Sequence, residues 1–221
     1  MLIIIVITME LEILNPYVMK IIIAARKLDS INLIAKRIKI SYGWTYKWVK
    51  KLIKLGVFRG SRLKLELNQK NKFYKNTLNY IKNNFSYDIN FYYSVLDLFG
   101  IKYCFTETDS VFIWTEGGYN IARYKEYYPI FIKIKKDQLN IFKEYCKKLN
   151  LKINSKKGVF YSIEVLEDFE ISYMDKIPVD SLDVTIHFMK KHIYNFQPAL
   201  EMVKEMYNKN IEIKYKESEY V

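Results

Sequence analysis

Between Asn15 and Asn68 the apolar period of the chain changes once, and a polar or glycine break falls at each boundary. Asn15-Pro16 supplies a cap followed by an N1 proline. Tyr17–Leu28 is then apolar at 18, 21, 22, 25 and 28, a helical period. Asp29-Ser30 interrupts it, and Ser30 is placed to cap a second helix over Ile31–Ile38, with Leu33, Ile34, Ala35 and Ile38 as its apolar positions. Lys39–Ser41 is short enough to be a tight turn. A third helix is predicted from Tyr42 to Leu55, ended by Gly56, where left-handed backbone commonly closes a helix. From Phe58 to Asn68 the period drops to two. Leu63, Leu65 and Leu67 fall on one face and Arg62, Lys64 and Glu66 on the other, with Gly60-Ser61 as the turn of a basic-tipped hairpin.

Charge is distributed as unevenly as the pattern. The net charge is +12, yet residues 1–86 hold 17 Lys and Arg against four acids (Glu10, Glu12, Asp29, Glu66), while 87–221 hold 19 against 20. The whole positive excess lies in the first two-fifths. Such a field suits a polyanion, because each neutralised phosphate releases condensed counterions. A solvated basic face without a partner is the plainer alternative, and the fold signal in the same segment weighs against it.

Helix, short helix, tight turn, longer helix and hairpin is the order of a winged helix-turn-helix. Thr45, Val49, Leu52 and Gly56 fit the T-x-x-x-V-x-x-L-x-x-x-G pattern of recognition helices, and the segment resembles the winged-helix DNA-binding domains of bacterial and archaeal regulators. Aligned on that pattern, Tyr46, Val49, Leu52 and Ile53 face inward. Thr45, Lys47, Trp48 and Lys51 take the opposite arc, with Ser41 and Trp44 near the N-terminal end. The resemblance implies that this end enters a major groove. Lys47, Lys50, Lys51 and Lys54 would contact phosphate, Thr45 a base edge or thymine methyl, and Arg59 and Arg62 a neighbouring groove. Trp44 and Trp48, four residues apart, stay open between groove contact and an apolar core or dimer seam. Three-helix units of this kind also serve in protein–protein contacts.

Residues 69–86 are rich in Asn and Lys and read as a linker helix on Phe73, Leu78 and Ile81. Beyond them Asn90–Phe99 is helical to Gly100. IKYCF (101–105), SVFIWT (110–115) and Tyr128–Ile134 are strand-like, and Asp137–Leu149 is a helix. GVFYSIEVL (158–166) and FEISYM (169–174) suggest an antiparallel pair, and Ser181–His192 and Pro198–Asn208 two closing helices. The expected class is α+β: a winged helix-turn-helix over 9–68, a linker helix over 69–86 and a mixed α/β regulatory or partner-binding domain over 87–221.

The order of those later elements resembles the nucleotidyltransferase-like fold. The tail, IPVDSLDVTIHFMKK followed by FQPALEMVKEMYNK, is similar to a segment of AbiE-type antitoxins, whose winged helix precedes a degenerate transferase-like domain. An active transferase of that fold needs a Gly-Gly/Ser signature and two carboxylates one residue apart on a strand, which hold divalent metal against a triphosphate. The corresponding strand here reads Ile130-Phe131-Ile132-Lys133-Ile134, with a lysine where a carboxylate would stand. Asp109 and Glu116 lie outside that spacing, and Gly117-Gly118 is a plain turn before it is half a signature.

No other catalytic constellation stands out. His187 and His192 are five apart with no Cys or carboxylate to complete a zinc site. Asp180, Asp183 and Glu201 read as helix-start and solvated charges, and the acidic run Glu164–Glu170 as a solvated hairpin or a protein-binding edge. Phosphate loops, GxSxG and nucleophile–base pairs are absent. Cys104 and Cys146, without a CxxC, are expected to be reduced buried thiols in a cytoplasmic protein. The opening MLIIIVITMELEIL is too short to span a bilayer. It is either a strand or an extension ahead of a true start at Met9. The reading is therefore a DNA-binding transcriptional regulator, antitoxin-like, binding double-stranded DNA as a homodimer and a toxin or other protein through 87–221. No catalytic residue, cofactor, metal or membrane association is expected. An RNA-binding or protein-interaction accessory factor is the alternative, with the tyrosine-rich surface stacking unpaired bases.

Overall fold

The computed structural model describes residues 15–121 and 123–213, so the choice between a strand and an extension for the first residues lies outside the described residues. The class is α+β, in two compact units. Of the described residues, one comprises 15–101 together with Asn140–Leu151, and the other 102–121, 123–139 and 152–213. Relative to the partition read from sequence, residues 87–101 and 140–151 pack with the basic, helical segment.

In the first unit α1 spans Pro16–Ala24, with the Asn15 side chain accepting from the Tyr17 and Val18 amides. It stops four residues short of the predicted end, because Leu28–Asp29 form a short strand, β1. Helix α2 covers Ile31–Ile38 under the Ser30 cap, and Lys39 closes it in left-handed backbone at φ 54°. Helix α3 covers Tyr42–Lys54 under the Ser41 cap, and Gly56 turns the chain at φ 71°. Strands β2 (Phe58–Gly60) and β3 (Leu65–Leu67) form the hairpin. β3 lies centrally between β1 and β2, antiparallel to both. The alternation predicted through Leu63 fails there. Ser61–Lys64 is a loop closed by the Ser61 amide donating to Lys64 O, and Leu63 is 88 % exposed at its tip.

Helix α4 (Lys72–Phe85) is the predicted linker helix, but its buried Phe73, Tyr74, Thr77, Leu78 and Ile81 make it part of the core. Helix α5 (Ile89–Val95) runs into a 3-10 turn, Leu96–Phe99, and Gly100 exits at φ 58°. Helix α7 (Leu139–Leu149) completes the unit. Its Tyr145 stacks on Phe99 at 4.5 Å and donates to Ala24 O at 2.6 Å.

The second unit is a mixed five-stranded sheet in the order β6-β5-β4-β8-β7. Its strands are β4 (Tyr103–Phe105), β5 (Tyr127–Lys135), β6 (Gly158–Leu166), β7 (Ser172–Met174) and β8 (Ile177–Val179). Two expectations are corrected here. SVFIWT is not a strand but part of helix α6 (Glu107–Trp114), which turns its Val111 side into the helical cluster of the unit. The strands over 158–166 and 172–174 do not pair. β6 runs parallel to β5, whereas β7 pairs with β8 at the opposite edge, since the Asp175-Lys176 turn, with both residues at positive φ, folds Met174 onto Ile177. Helices α8 (Leu182–Lys191) and α9 (Ile193–Met206) close the unit around Met189, Phe196, Leu200 and Val203, with Pro198 inside α9.

Candidate nucleic-acid interface

Helix α3 carries the predicted contact residues, and its register decides which of them can meet a partner. The buried positions are Thr45, Trp48, Val49 and Leu52. Tyr46 and Ile53, expected inward, are only half-buried. The helix is thus rotated toward the Thr45–Trp48 side relative to the motif-based register. The cause is aromatic packing. Tyr17 of α1 meets Trp44 edge-on at 5.5 Å and stacks on Trp48 at 6.5 Å, and this pulls the tryptophan stripe against α1.

Two expectations change. Thr45 is 1 % exposed and its hydroxyl donates to Ser41 O at 3.0 Å, so its side chain is engaged in packing and with the backbone of its own helix, where a base-edge contact was expected. Trp48 is 9 % exposed and packs against Tyr17. Its indole N–H has no acceptor among the described residues. Trp44 remains 39 % exposed beside the capping Ser41, which is itself exposed.

The cations behave as expected of a surface. Lys47, Lys50 and Lys54 are exposed and Lys51 half-buried along its stem. Lys47 Nζ sits 4.6 Å from the Trp44 ring and Lys51 Nζ 4.6 Å from the Trp48 ring. The indole faces hold two ammonium groups by cation–π attraction without neutralising them. On the hairpin, Arg59 is exposed, and Arg62 lies 4.8 Å over the Tyr46 ring with 3.3 Å to its hydroxyl. Among the described residues, none of Lys47, Lys50, Lys51, Lys54, Arg59 and Arg62 has a carboxylate within 4.0 Å. Helix and hairpin therefore present positive charge that no carboxylate among the described residues pairs with.

In the second unit, Asp180 corrects the sequence reading. It is 3 % exposed and is not a solvated helix-start charge. Lys133 on β5 donates to both its oxygens at 2.8 and 2.9 Å, and the Thr106 hydroxyl donates at 2.5 Å. Asp183 and Glu201 do lie at the surface, with Lys209 and Gln197 as partners. Lys133, within the otherwise apolar Ile130–Ile134 run, is the one sequence signal for a buried acid opposite. Asp109 is also buried. It pairs with Arg123 at 3.1 Å and accepts the Phe131 amide at 2.8 Å.

Thr106, Glu107, Lys133, Glu164, Asp180 and both histidines line a cleft of about 310 Å³. Burial, reinforced by the charges of Glu164 and Asp109, raises the Glu107 pKa. Burial first, then Asp180, raises the Cys104 thiol well above its usual range. Cys104 and Cys146 are free and buried. Among the described residues no group of three or more His, Cys, Asp or Glu is arranged to hold a metal ion, and no helix is long and apolar enough to cross a membrane.

No family model, curated protein or solved structure matches this chain. Its function has to be argued from its own residues.

Proposed function

We propose that the chain is a DNA-binding transcriptional regulator whose first unit acts as a winged helix. The observation that carries this reading is the row Lys47, Lys50, Lys51 and Lys54 on α3, without a carboxylate partner among the described residues and flanked by Arg59 and Arg62 on the hairpin. The connectivity α1-β1-α2-α3-β2-β3, with β3 central in its small sheet, suits that role. α3 then lies in a major groove with its lysines on phosphates, and the Ser61–Lys64 loop reaches the backbone alongside. Base readout falls to Ser41, Trp44 and the exposed side of α3, because Thr45 is enclosed.

The second unit is read as a transferase-like scaffold without nucleotidyl transfer, binding a protein partner such as a toxin. Lys133 supports this. The transferase resemblance would put a metal-holding carboxylate at this position, and the ammonium here is committed to Asp180. A homodimer would place the two recognition helices on half-sites about one helical turn apart.

Fluorescence anisotropy on a labelled duplex tests the reading. The Lys47→Glu/Lys51→Glu variant should lose at least about tenfold in affinity. Its slope of log Kd against log salt should fall by about 2. Wild-type affinity that does not change with salt would sink the proposal.

A further inference from the structure

A second basic feature of the first unit is concave. Helices α4 and α7 and the Ala25–Lys27 turn enclose a cleft of about 640 Å³, within the range of small-molecule sites. From its position in the fold and its lining, we infer that this cleft binds a phosphorylated small molecule of the nucleotide class. The inference goes beyond the DNA-binding reading and does not rest on it.

The cleft lies away from the hairpin tip. Leu67, which lines it, ends β3, and its amide donates to Lys27 O at 3.0 Å. The Ser61–Lys64 loop is at the other end of the same strands. Six cations line the cleft against one carboxylate, Glu144. Two of the six are committed to structure. Arg26 donates to Phe99 O at 2.8 Å and Gly100 O at 3.3 Å, and Lys148 donates to the carbonyls of Ile22, Ile23 and Ala25 at 2.6, 2.9 and 2.8 Å. The other four, Lys27, Lys75, Lys82 and Lys147, have no carboxylate within 4.0 Å among the described residues.

The committed pair matters for an anion. The C-terminal carbonyls of α1 would repel negative charge, but Lys148 takes three of them and the Tyr145 hydroxyl takes Ala24 O. The carbonyls at the α1 end of the cleft are therefore already engaged by donors. Beneath the lysines the cleft is apolar: Ala25, Leu67 and Leu78 are at most 9 % exposed, and Tyr74 and Tyr145 contribute ring surface. Gln69 and Asn79 add exposed amides. A duplex backbone would run over a convex ridge such as α3. A recess with an apolar floor and a cationic rim instead suits a flat base below and phosphates above.

Isothermal titration calorimetry on the full chain tests this with three magnesium-free probes: ATP, tripolyphosphate and adenosine. ATP should bind saturably at one site, with adenosine and tripolyphosphate each weaker by about fivefold or more. Lys75→Glu and Lys147→Glu change exposed residues, so melting should be preserved. Each should weaken ATP by about tenfold, while Lys47→Glu/Lys51→Glu leaves it within about twofold. Absence of saturable ATP binding would overturn the inference, as would insensitivity to the Lys75 and Lys147 variants. Loss of ATP binding in the Lys47/Lys51 variant would move the site to α3. Tripolyphosphate binding as tightly as ATP would overturn the nucleotide class. Because DNA affinity is read with the α3 variant, either proposal can fail alone.

Discussion

Thr45 and Lys47 are two residues apart on α3, and the helical repeat sends one inward and the other outward. Thr45 packs against the core and returns its hydroxyl to Ser41 O. Thr45→Val should therefore cost about 1 kcal/mol in denaturant unfolding and leave DNA affinity within about twofold. A base-edge contact would show the reverse, a large affinity loss with little change in stability. Lys148 offers a second residue-scale test. Its three carbonyl partners favour the ammonium, but burial, with help from the Arg37 charge, outweighs them and Asp29 and holds the pKa down to about 7. The unfolded chain keeps the ordinary lysine value. Below pH 7 both states carry the proton and the burial cost stands in full. Between about 7 and 10.5 the unfolded chain binds a proton that the folded chain has released, so this group makes stability rise with pH. Urea midpoints across that window should rise more for the wild type than for Lys148→Met, which should itself lose about 2 kcal/mol by leaving carbonyls unpaired.

At the scale of elements, β5 is joined through the buried Lys133–Asp180 pair to the chain just after β8, as well as through its ladders to β4 and β6. Asp180→Asn removes the charge that Lys133 faces and should cost about 3–5 kcal/mol. Lys133→Met/Asp180→Asn should recover part of that loss, as seen by thermal melting. The same pair shows where sequence reading stopped. The caps Asn15 and Ser30 and the stop at Gly56 are local signals, and helices α1 and α2 start where those residues place them, whereas Ser41, read as part of a turn, proves to be the cap of α3. Partners distant in sequence left weaker traces. Lys133 hinted at an acid, but nothing local marked Asp180 as that acid, 47 residues on. SVFIWT has strand propensity, yet its tertiary setting makes it helical, with Asp109 bonded to β5. The α3 register erred for a similar reason. A motif aligns apolar positions along one helix, whereas Tyr17, on another helix, decides which aromatic stripe is covered.

For the whole molecule, the positive excess of residues 1–86 and the near balance of 87–221 make the two stretches electrostatically unlike, and the proposed function assigns polyanion binding to the first. In the proposed complex the lysines of α3 would supply affinity and its salt dependence, but phosphate contacts carry no sequence information. The central claim is operator recognition, and it demands a preference. The most direct measurement is a gel shift on the DNA upstream of the chain's own coding sequence, against a shuffled duplex of equal length at the same moderate salt. Wild-type protein should bind the upstream DNA at least about a hundredfold more tightly than the shuffled duplex, and Lys47→Glu/Lys51→Glu should bind neither. Equal affinity of the wild-type protein for both duplexes would contradict that claim.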